Sequence, residues 1–494
     1  MKKYDVIVIG GGPAGYAAAM RAVDYKKKVA LIEKDKLGGA GIHNGALWSK
    51  TWWEVAREAY ELRRNGSSYG LEKPHFNFKK IKQEVDEAIN GRVELLEHHM
   101  FNINTSANDE LFHFYQAEAK VVEKHLVQLS HDGKVDTIQG DNIILATGST
   151  PRKLPNLPID EQHVYTSDGL NNLTDFPKSI VIMGAGVIGC EFATIFSAFG
   201  QTKVHIIDKG DRILPFEDKD IVQIIERNLE EQGVLIHRNS RLIDMKIEND
   251  KVIYTLEYDD GGKEIFLVEK ALVSIGRIPC YQNLFDESLG IEIDQRGIIN
   301  DLTKTSVDNI FAVGDITADI SLVNVGELEG RYAIERIYGQ PDRPLIYENI
   351  STIMFLSPEV AGVGLNEQQA HLAGLCYKVV SMDYQLIPRA VAMRNTQGFI
   401  KILVTDDDDM KILGMRVVGQ HASSAIQAVA LLIATGKGIK ELAELIHPHP
   451  SIIEGIQECC RMLLGKSIMK PTVLRAAMKC KLCKDGVYQD LKFD

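Results

Sequence analysis

The chain is 494 residues long, enough for about three domains at roughly 150 residues each. Hydrophobic residues make up 45% and charged residues 25%, an ordinary globular balance, and the net charge of −12 argues against the basic surface that nucleic acid rewards. No apolar run approaches the ~20 residues needed to span a bilayer, so no transmembrane segment is expected.

The N-terminus, MKKYDVIVIGGGPAG, opens with two lysines and an apolar run, as a signal peptide does. That run is only one strand long, ends in glycines and offers no cleavage pattern. It predicts a strand, a glycine turn and an Ala-rich helix, with Gly10, Gly12 and Gly15 in a G-x-G-x-x-G spacing. The first glycine allows the turn, the second lets backbone approach a pyrophosphate, and the third lets helix and strand pack closely. KKVALIEK then reads as a second strand ending in Glu33, an acid placed to bind a ribose hydroxyl. The pattern is that of a dinucleotide site.

Next comes LGGAGIHNGALWSKTWWE, Leu37 to Glu54, which holds all three tryptophans of the chain. A helix from about Ala46 puts Trp48 and Trp52 on one face and Ala46 and Lys50 on another. Two readings of Trp48, Trp52 and Trp53 stand: a stacking surface for an aromatic ligand, or core packing. His43 is a turn residue or a polar contact.

NIILATGSTPRKLP supplies a further strand, Thr147-Gly148 and a connector. The fingerprint then recurs in KSIVIMGAGVIGCEFATIFSAFG, with Gly184, Gly186 and Gly189, and its strand KVHIID ends in Asp208. An acid there accepts ribose hydroxyls and repels a 2′-phosphate, favouring NAD(H) over NADP(H), although Lys209 beside it counts the other way. Two fingerprints some 170 residues apart imply two different dinucleotides. NIFAVGDIT later gives a strand ending in Gly314-Asp315.

With the motifs SIGRIP, SPEVAGVGLNEQQA and HPHPSIIE added, the chain to about residue 465 resembles the FAD-dependent pyridine nucleotide–disulfide oxidoreductases, closest to the dihydrolipoamide dehydrogenase branch. The resemblance implies an α/β chain with two Rossmann-like dinucleotide-binding domains and a C-terminal α+β dimerisation domain. Residues 1–150 and 280–346 would bind FAD, 151–279 NAD(P), and 347–465 would form the dimer. It further implies that Gly10, Gly12, Pro13, Ala14, Gly15, Glu33, Gly39, Thr147, Gly148, Gly314 and Asp315 hold FAD. Gly184, Gly186, Val187, Ile188, Gly189, Asp208 and Gly276 would line the NAD site. Lys50 would lie beside the flavin, paired with Glu191. His449 and Glu454 would be the acid–base histidine and its orienting carboxylate, acting across a homodimer. Asn324 stands where the lipoamide branch usually carries histidine.

One family feature is missing. Aligned on Gly38, Gly39, Ser49 and Lys50, the two positions that carry the redox cysteines fall on Gly41 and Ala46, and the first cysteine of the chain is Cys190. A dithiol relay through a mixed disulfide is then impossible at this turn. The expectation is an FAD-dependent NAD(P)H oxidoreductase passing electrons directly to a small acceptor, a quinone or a second pyridine nucleotide as in a transhydrogenase. Two alternatives remain: a catalytically retired flavoprotein, and a dithiol reductase using Cys480 and Cys483 in the tail, residues 466–494. That C-x-x-C supplies two of the four ligands zinc wants, with Cys459 and Cys460 as poorly oriented additions, and no metal is expected. Seven cysteines, an odd number in so long a chain, suit a reducing compartment, the cytoplasm.

Overall fold

The first apolar run, Lys2–Ile9, is an inner strand of a seven-stranded sheet in a computed structural model that describes residues 1–491 except 73, 106–110, 318 and 342. The last three residues of the tail therefore lie outside the described part. The chain divides into two compact units: residues 1–183, 243–255 and 265–345, and residues 184–242, 256–264 and 346–494.

In the first unit, Lys2–Ile9 pairs in parallel with Val29–Glu33 on one side and Lys134–Leu145 on the other. Phe112–Gln116 extends the sheet beyond Val29–Glu33, and Ile310–Ala312 runs parallel to the end of Lys134–Leu145. Parallel strands covered on both faces read as unbroken apolar runs, and these do. Ile7, Ile9, Ile32, Ile143 and Leu145 fill the core on one face. Val6, Val8, Leu31 and Ile144 fill the other, against Ala14, Ala18 and Ala22 of helix Pro13–Asp24 and Ala333 and Ile334 of helix Val323–Tyr338. Each large side chain so buried contributes about 1.5–3 kcal/mol relative to exposure.

The two helices approach closely because Gly330 faces the first: a Cβ there would stand 2.1 Å from the carbonyl oxygen of Ala14. The helix expected from about Ala46 is Ala46–Asn65, followed by helix Phe78–Thr105. All three tryptophans are buried on it. Trp52 stacks on Phe78, Trp48 meets Trp52 edge-on, and Phe78 meets Phe176 edge-on. Core packing is the role the fold gives them.

The strand Ser179–Met183 closes the first unit and leads straight into the second fingerprint. In the second unit, helix Val187–Phe199 is followed by strand Lys203–Ile207, which pairs in parallel with Leu235–His237. The remainder centres on a seven-stranded sheet whose described pairs are antiparallel, from Ser351–Met354 at one edge to Val487–Asp490 at the other. Helices Gln427–Ala434 and Ile453–Leu463 supply its core.

The C-terminal dithiol reading does not survive this sheet. Cys480 and Cys483 lie on strand Met478–Lys484, opposite Val380 and Tyr377. Residues three apart on a strand point to opposite faces. Cys480 accordingly packs with Cys459 and Cys460 under helix Ile453–Leu463, and Cys483 with Ala370 and Leu403 on the other side. Both are buried, and the pair can neither close a disulfide nor chelate one ion without leaving the sheet. They are core residues.

Candidate functional site

The first glycine turn is bare of side chains. Gly10, with φ +111°, has its Cβ direction blocked by the carbonyl oxygen of Ala146 at 2.2 Å, and a Cβ on Gly15 would meet the Gly10 carbonyl oxygen at 1.9 Å. These two contacts seat helix Pro13–Asp24 directly on the strand ends. Gly12, by contrast, caps the helix with extended backbone, and a Cβ on it would meet nothing within 4 Å. The helix carries no acid in its first turn and no side-chain cap. Open space over unspent N–H groups fits an anionic pyrophosphate.

Glu33 closes the turn from the second strand, one carboxylate oxygen accepting the Gly11 N–H at 2.7 Å and the other the Asp35 N–H at 2.8 Å. Around it gather the other predicted residues. Gly38 donates to the Gly11 carbonyl, and a Cβ on Gly39 would lie 3.3 Å from the Gly12 Cα. Thr147 Oγ donates to the Cys280 carbonyl, and Gly148 accepts the Cys280 N–H. Gly314 lies against Ala14, its φ of +72° open to glycine, and Asp315 accepts a 2.7 Å bond from Ser149 Oγ. Glu33, Gly39, Thr147 and Gly314 thus lie against the Gly10–Ala14 turn at the start of this helix, within the first unit. A cofactor with a long diphosphate arm fits the bare cradle these residues form.

The turn Gly38–Gly45 is tighter than the sequence alone conveys. A Cβ on Gly41 would stand 2.4 Å from Cγ of Pro13, and one on Gly45 2.3 Å from the carbonyl oxygen of Ala40. His43 Nε2 bonds the Leu37 carbonyl at 2.9 Å, a turn contact. Ala46 and half-buried Lys50 follow on the first turns of the next helix.

The second glycine turn repeats the first. Gly184 has φ +97°, Gly186 caps helix Val187–Phe199 with extended backbone, and a Cβ on Gly186 would again meet nothing within 4 Å. Val187, Ile188 and Gly189 form the first turn, free of acid and of side-chain caps. Asp208 takes the part of Glu33: it accepts the Ala185 N–H at 2.7 Å and the Gly210 N–H at 2.8 Å. Gly276, with φ +104°, lies in the first unit, where its carbonyl accepts the Arg152 N–H.

Glu191 is buried on the second helix and accepts the Phe355 N–H at 3.0 Å. Cys190 beside it is not a reactive thiol: burial first, then the carboxylates of Asp208, Glu191 and Glu226, push its pKa up and hold it protonated. His449 is exposed, with Nδ1 at 2.7 Å from Glu454 Oε1, while Glu454 Oε2 accepts the Ser451 N–H at 2.8 Å. Burial raises the Glu454 pKa, but the bonds from His449 and Ser451 outweigh it and hold the carboxyl below its ordinary value.

Three features escaped the sequence reading. Glu329 is buried and accepts the Gly314 N–H at 2.7 Å, fixing the Gly-Asp turn from helix Val323–Tyr338. Arg277 donates to Ser149 and to Asp168 at 2.8 Å, so that Ser149 is held on one side and Asp315 on the other. The G-E-L-E-G spacing of Gly326 and Gly330 was the available signal for the first. In the second unit, Asp218, Asp220 and Glu367 bring their carboxylates within 4.8 Å of one another, and Nζ of fully buried Lys401 stands among them at 2.6–3.0 Å.

Residues 4–330 match the family model described as pyridine nucleotide-disulphide oxidoreductase, and residues 350–460 match its dimerisation domain. The dihydrolipoyl dehydrogenase of Bacillus subtilis is 32% identical over 476 residues, covering 94% of this chain and 99% of that protein. That of Buchnera aphidicola is 33% identical over 461 residues, covering 92% and 94%. Among solved structures, the Cu(II) complex of the HOCl-induced flavoprotein disulfide reductase RclA from Escherichia coli is similar with a TM-score of 0.82 at 27% identity, covering 94% of this chain and 100% of that one. LpdA from Mycobacterium tuberculosis, at 24% identity and a TM-score of 0.83, shares the fold over 94% of this chain and 100% of its own.

Proposed function

The chain belongs to the pyridine nucleotide–disulphide oxidoreductase family, and from that premise we propose that it oxidises NADH with a non-disulfide acceptor, a quinone or a second pyridine nucleotide, without a protein dithiol. Members of this family use FAD and NAD(H). FAD, when bound, supplies the two-electron relay between nicotinamide and acceptor.

The observation that carries the reading is Gly41. The two positions that align with the family's redox cysteines are glycine and alanine, no cysteine precedes Cys190, and the Gly41 Cβ direction runs into the Pro13 ring at 2.4 Å. The turn is closed around the lack of a side chain.

In this reading, residues 1–150 and 280–346 hold FAD, 151–279 the nicotinamide nucleotide, and 347–465 form a homodimer. Gly10, Gly12, Gly15 and Gly39 give the pyrophosphate and the adjoining turn their clearance, and Glu33 and Asp315 bind sugar hydroxyls. Lys50 places a cation at the flavin, where added electrons are stabilised by positive charge. In the second unit, Glu191 has its carboxylate held by the Phe355 N–H. Reduction of a quinone consumes one hydride from NADH and one proton, and His449, oriented by Glu454, holds that proton. Transfer to a second pyridine nucleotide moves a hydride alone and needs no proton. The seven free cysteines suit a reducing compartment, and we place the enzyme in the cytoplasm.

The test is anaerobic mixing of the purified holoprotein with NADH, then reoxidation in parallel by a quinone, thio-NAD, oxygen and lipoamide. The flavin absorbance should bleach and return with quinone or thio-NAD, and lipoamide turnover should be negligible. Lipoamide reduction at the rate of a dihydrolipoyl dehydrogenase overturns the proposal, and failure to bleach favours a retired flavoprotein. A Gly41→Cys/Ala46→Cys variant should leave lipoamide turnover negligible, because a side chain at 41 has to displace Pro13.

A further inference from the structure

Past residue 460, where the dimerisation-domain match ends, the chain adds a hairpin to one edge of the second unit's antiparallel sheet. Strand Met478–Lys484 lies along Tyr377–Asp383 and returns through Gly486 as Val487–Asp490. A Cβ on Gly486 would meet the His371 ring at 2.7 Å, so the hairpin tip rests on helix Glu367–Leu372. On the second strand, the Tyr488 hydroxyl donates to Glu367 Oε2 at 2.9 Å and lies 3.0 Å from the hydroxyl of buried Tyr377.

We propose that Tyr488 is a positioning residue for the nicotinamide nucleotide: through Glu367 and Lys401 the hairpin fixes residues 214–218 against the second glycine turn and so raises nucleotide affinity. This deepens the function proposed above and rests on the same assignment of the second fingerprint to a nicotinamide nucleotide.

The route is continuous within the second unit. The other Glu367 oxygen accepts Lys401 Nζ at 2.6 Å, and buried Lys401 also holds Asp218 at 3.0 Å and Asp220 at 2.7 Å. Asp218 ends the segment that begins at Asp208, and its two oxygens accept the Glu367 and Gln368 N–H groups. Earlier in that segment, the Leu214 N–H donates to the Ala185 carbonyl, between Gly184 and Gly186, at 2.9 Å. Leu214 is fully buried with φ +45°, a backbone conformation that is unfavourable for leucine and persists only where its surroundings impose it. The carbonyl it holds belongs to the turn that receives the nucleotide in the reading above. A buried ammonium needs its anionic partners, and charge-assisted bonds are the strong ones. A Glu367 side chain released by Tyr488 leaves Lys401 to Asp218 and Asp220 and lets residues 214–218 shift with them.

The test is calorimetric binding of NAD+ to the holoprotein carrying Tyr488→Phe, which removes one exposed hydroxyl and keeps the ring, or Glu367→Ala. Tyr488→Phe should weaken NAD+ by about threefold, the scale of one hydrogen bond, and raise the KM for NADH alike against a constant kcat and flavin content. In the Glu367→Ala background it should have no further effect, because the route is already cut. A lowered melting temperature at unchanged NAD+ affinity, or equal weakening with and without Glu367, overturns the proposal while the direct-transfer reading stands. If Glu367→Ala does not fold, Tyr488→Phe decides alone. If the unaltered protein binds no NAD+, the positioning role falls together with the nucleotide assignment. A failure of direct transfer appears only in the reoxidation experiment, and leaves these affinities untouched.

Discussion

The two glycine turns use the same local solution and differ in what surrounds them. Gly12 and Gly186 cap their helices with nearly the same backbone, φ −71° and ψ −178° against φ −77° and ψ −172°. Glu33 and Asp208 each accept one N–H from the turn and one from two residues further along their own strand end. Over the first turn the chain closes: a Cβ on Gly11 would meet Leu37 at 2.9 Å, and Gly38 and Gly39 fold against Gly11 and Gly12. Beyond the second lies an open cavity of about 410 Å³ lined by Lys209, Asn239, Ser240 and Arg241. A closed cradle suits a resident group and an open one a group that exchanges. The backbone motif is thus shared by the two turns, and the flanking segments set how open each one is.

The sharpest way to break that comparison is to add a side chain at the packed third glycine of the first turn and at the open second glycine of the other. Gly15→Val drives a side chain into the Gly10 carbonyl oxygen. It should give protein with almost no bound flavin, measured by visible absorbance per chain, and with stability lowered by about 1–3 kcal/mol. Gly186→Val projects into open space instead. Flavin content and melting temperature should be retained while NADH no longer bleaches the flavin at ordinary concentrations. Equal flavin loss in both variants would erase the distinction between resident and exchanging ligands.

A second difference is electrostatic. The segment after the second turn is anchored by Lys401 among Asp218, Asp220 and Glu367. Lys401→Met leaves those carboxylates facing one another, and unfolding by denaturant should show a loss of about 3 kcal/mol, at the low end for a broken buried pair because Asp220 is half exposed. Flavin content should change little, since the first unit's cradle contains none of these residues.

A further difference concerns His449. His449→Gln should lower quinone turnover by about 10²-fold and leave thio-NAD reduction unchanged, as only the former takes up a proton. Glu454 has its folded pKa depressed below the ordinary 4.5. Its contribution to holding the histidine is therefore full above about pH 4.5 and is lost as pH falls through the depressed value. The quinone activity should show an acid limb there that Glu454→Gln abolishes. Equal losses with quinone and thio-NAD in His449→Gln would mean that the histidine serves packing.

The sequence was most legible where chemistry forces residue type. Glycines at Gly10, Gly12 and Gly15, an acid at Glu33 and apolar strands before and after leave little choice of local structure, and the structure places them as read. The lack of cysteine before Cys190 is likewise a matter of reading letters. Less legible was the tail. Cys480-x-x-Cys483 carries the spacing of a dithiol, but spacing does not say helix, loop or strand, and on the strand Met478–Lys484 the two sulfurs face opposite cores. The tryptophans were ambiguous for a related reason, since a large aromatic suits a ligand face and a core equally until its neighbours, here Phe78 and Phe176, are known.

The amino-acid order alone thus determined the two glycine turns, the acids that close them and the cysteine-free stretch before Cys190, because backbone clearance and charge act over a few residues. Only the tertiary structure decided that Pro13 occupies the space beside Gly41, that Glu329 and Arg277 brace the segments at Gly314 and Ser149, and that Lys209 and Arg241 line one cavity. Those contacts join residues from about 15 to more than 100 positions apart, and no local rule of spacing or propensity encodes which distant side chain fills a given gap.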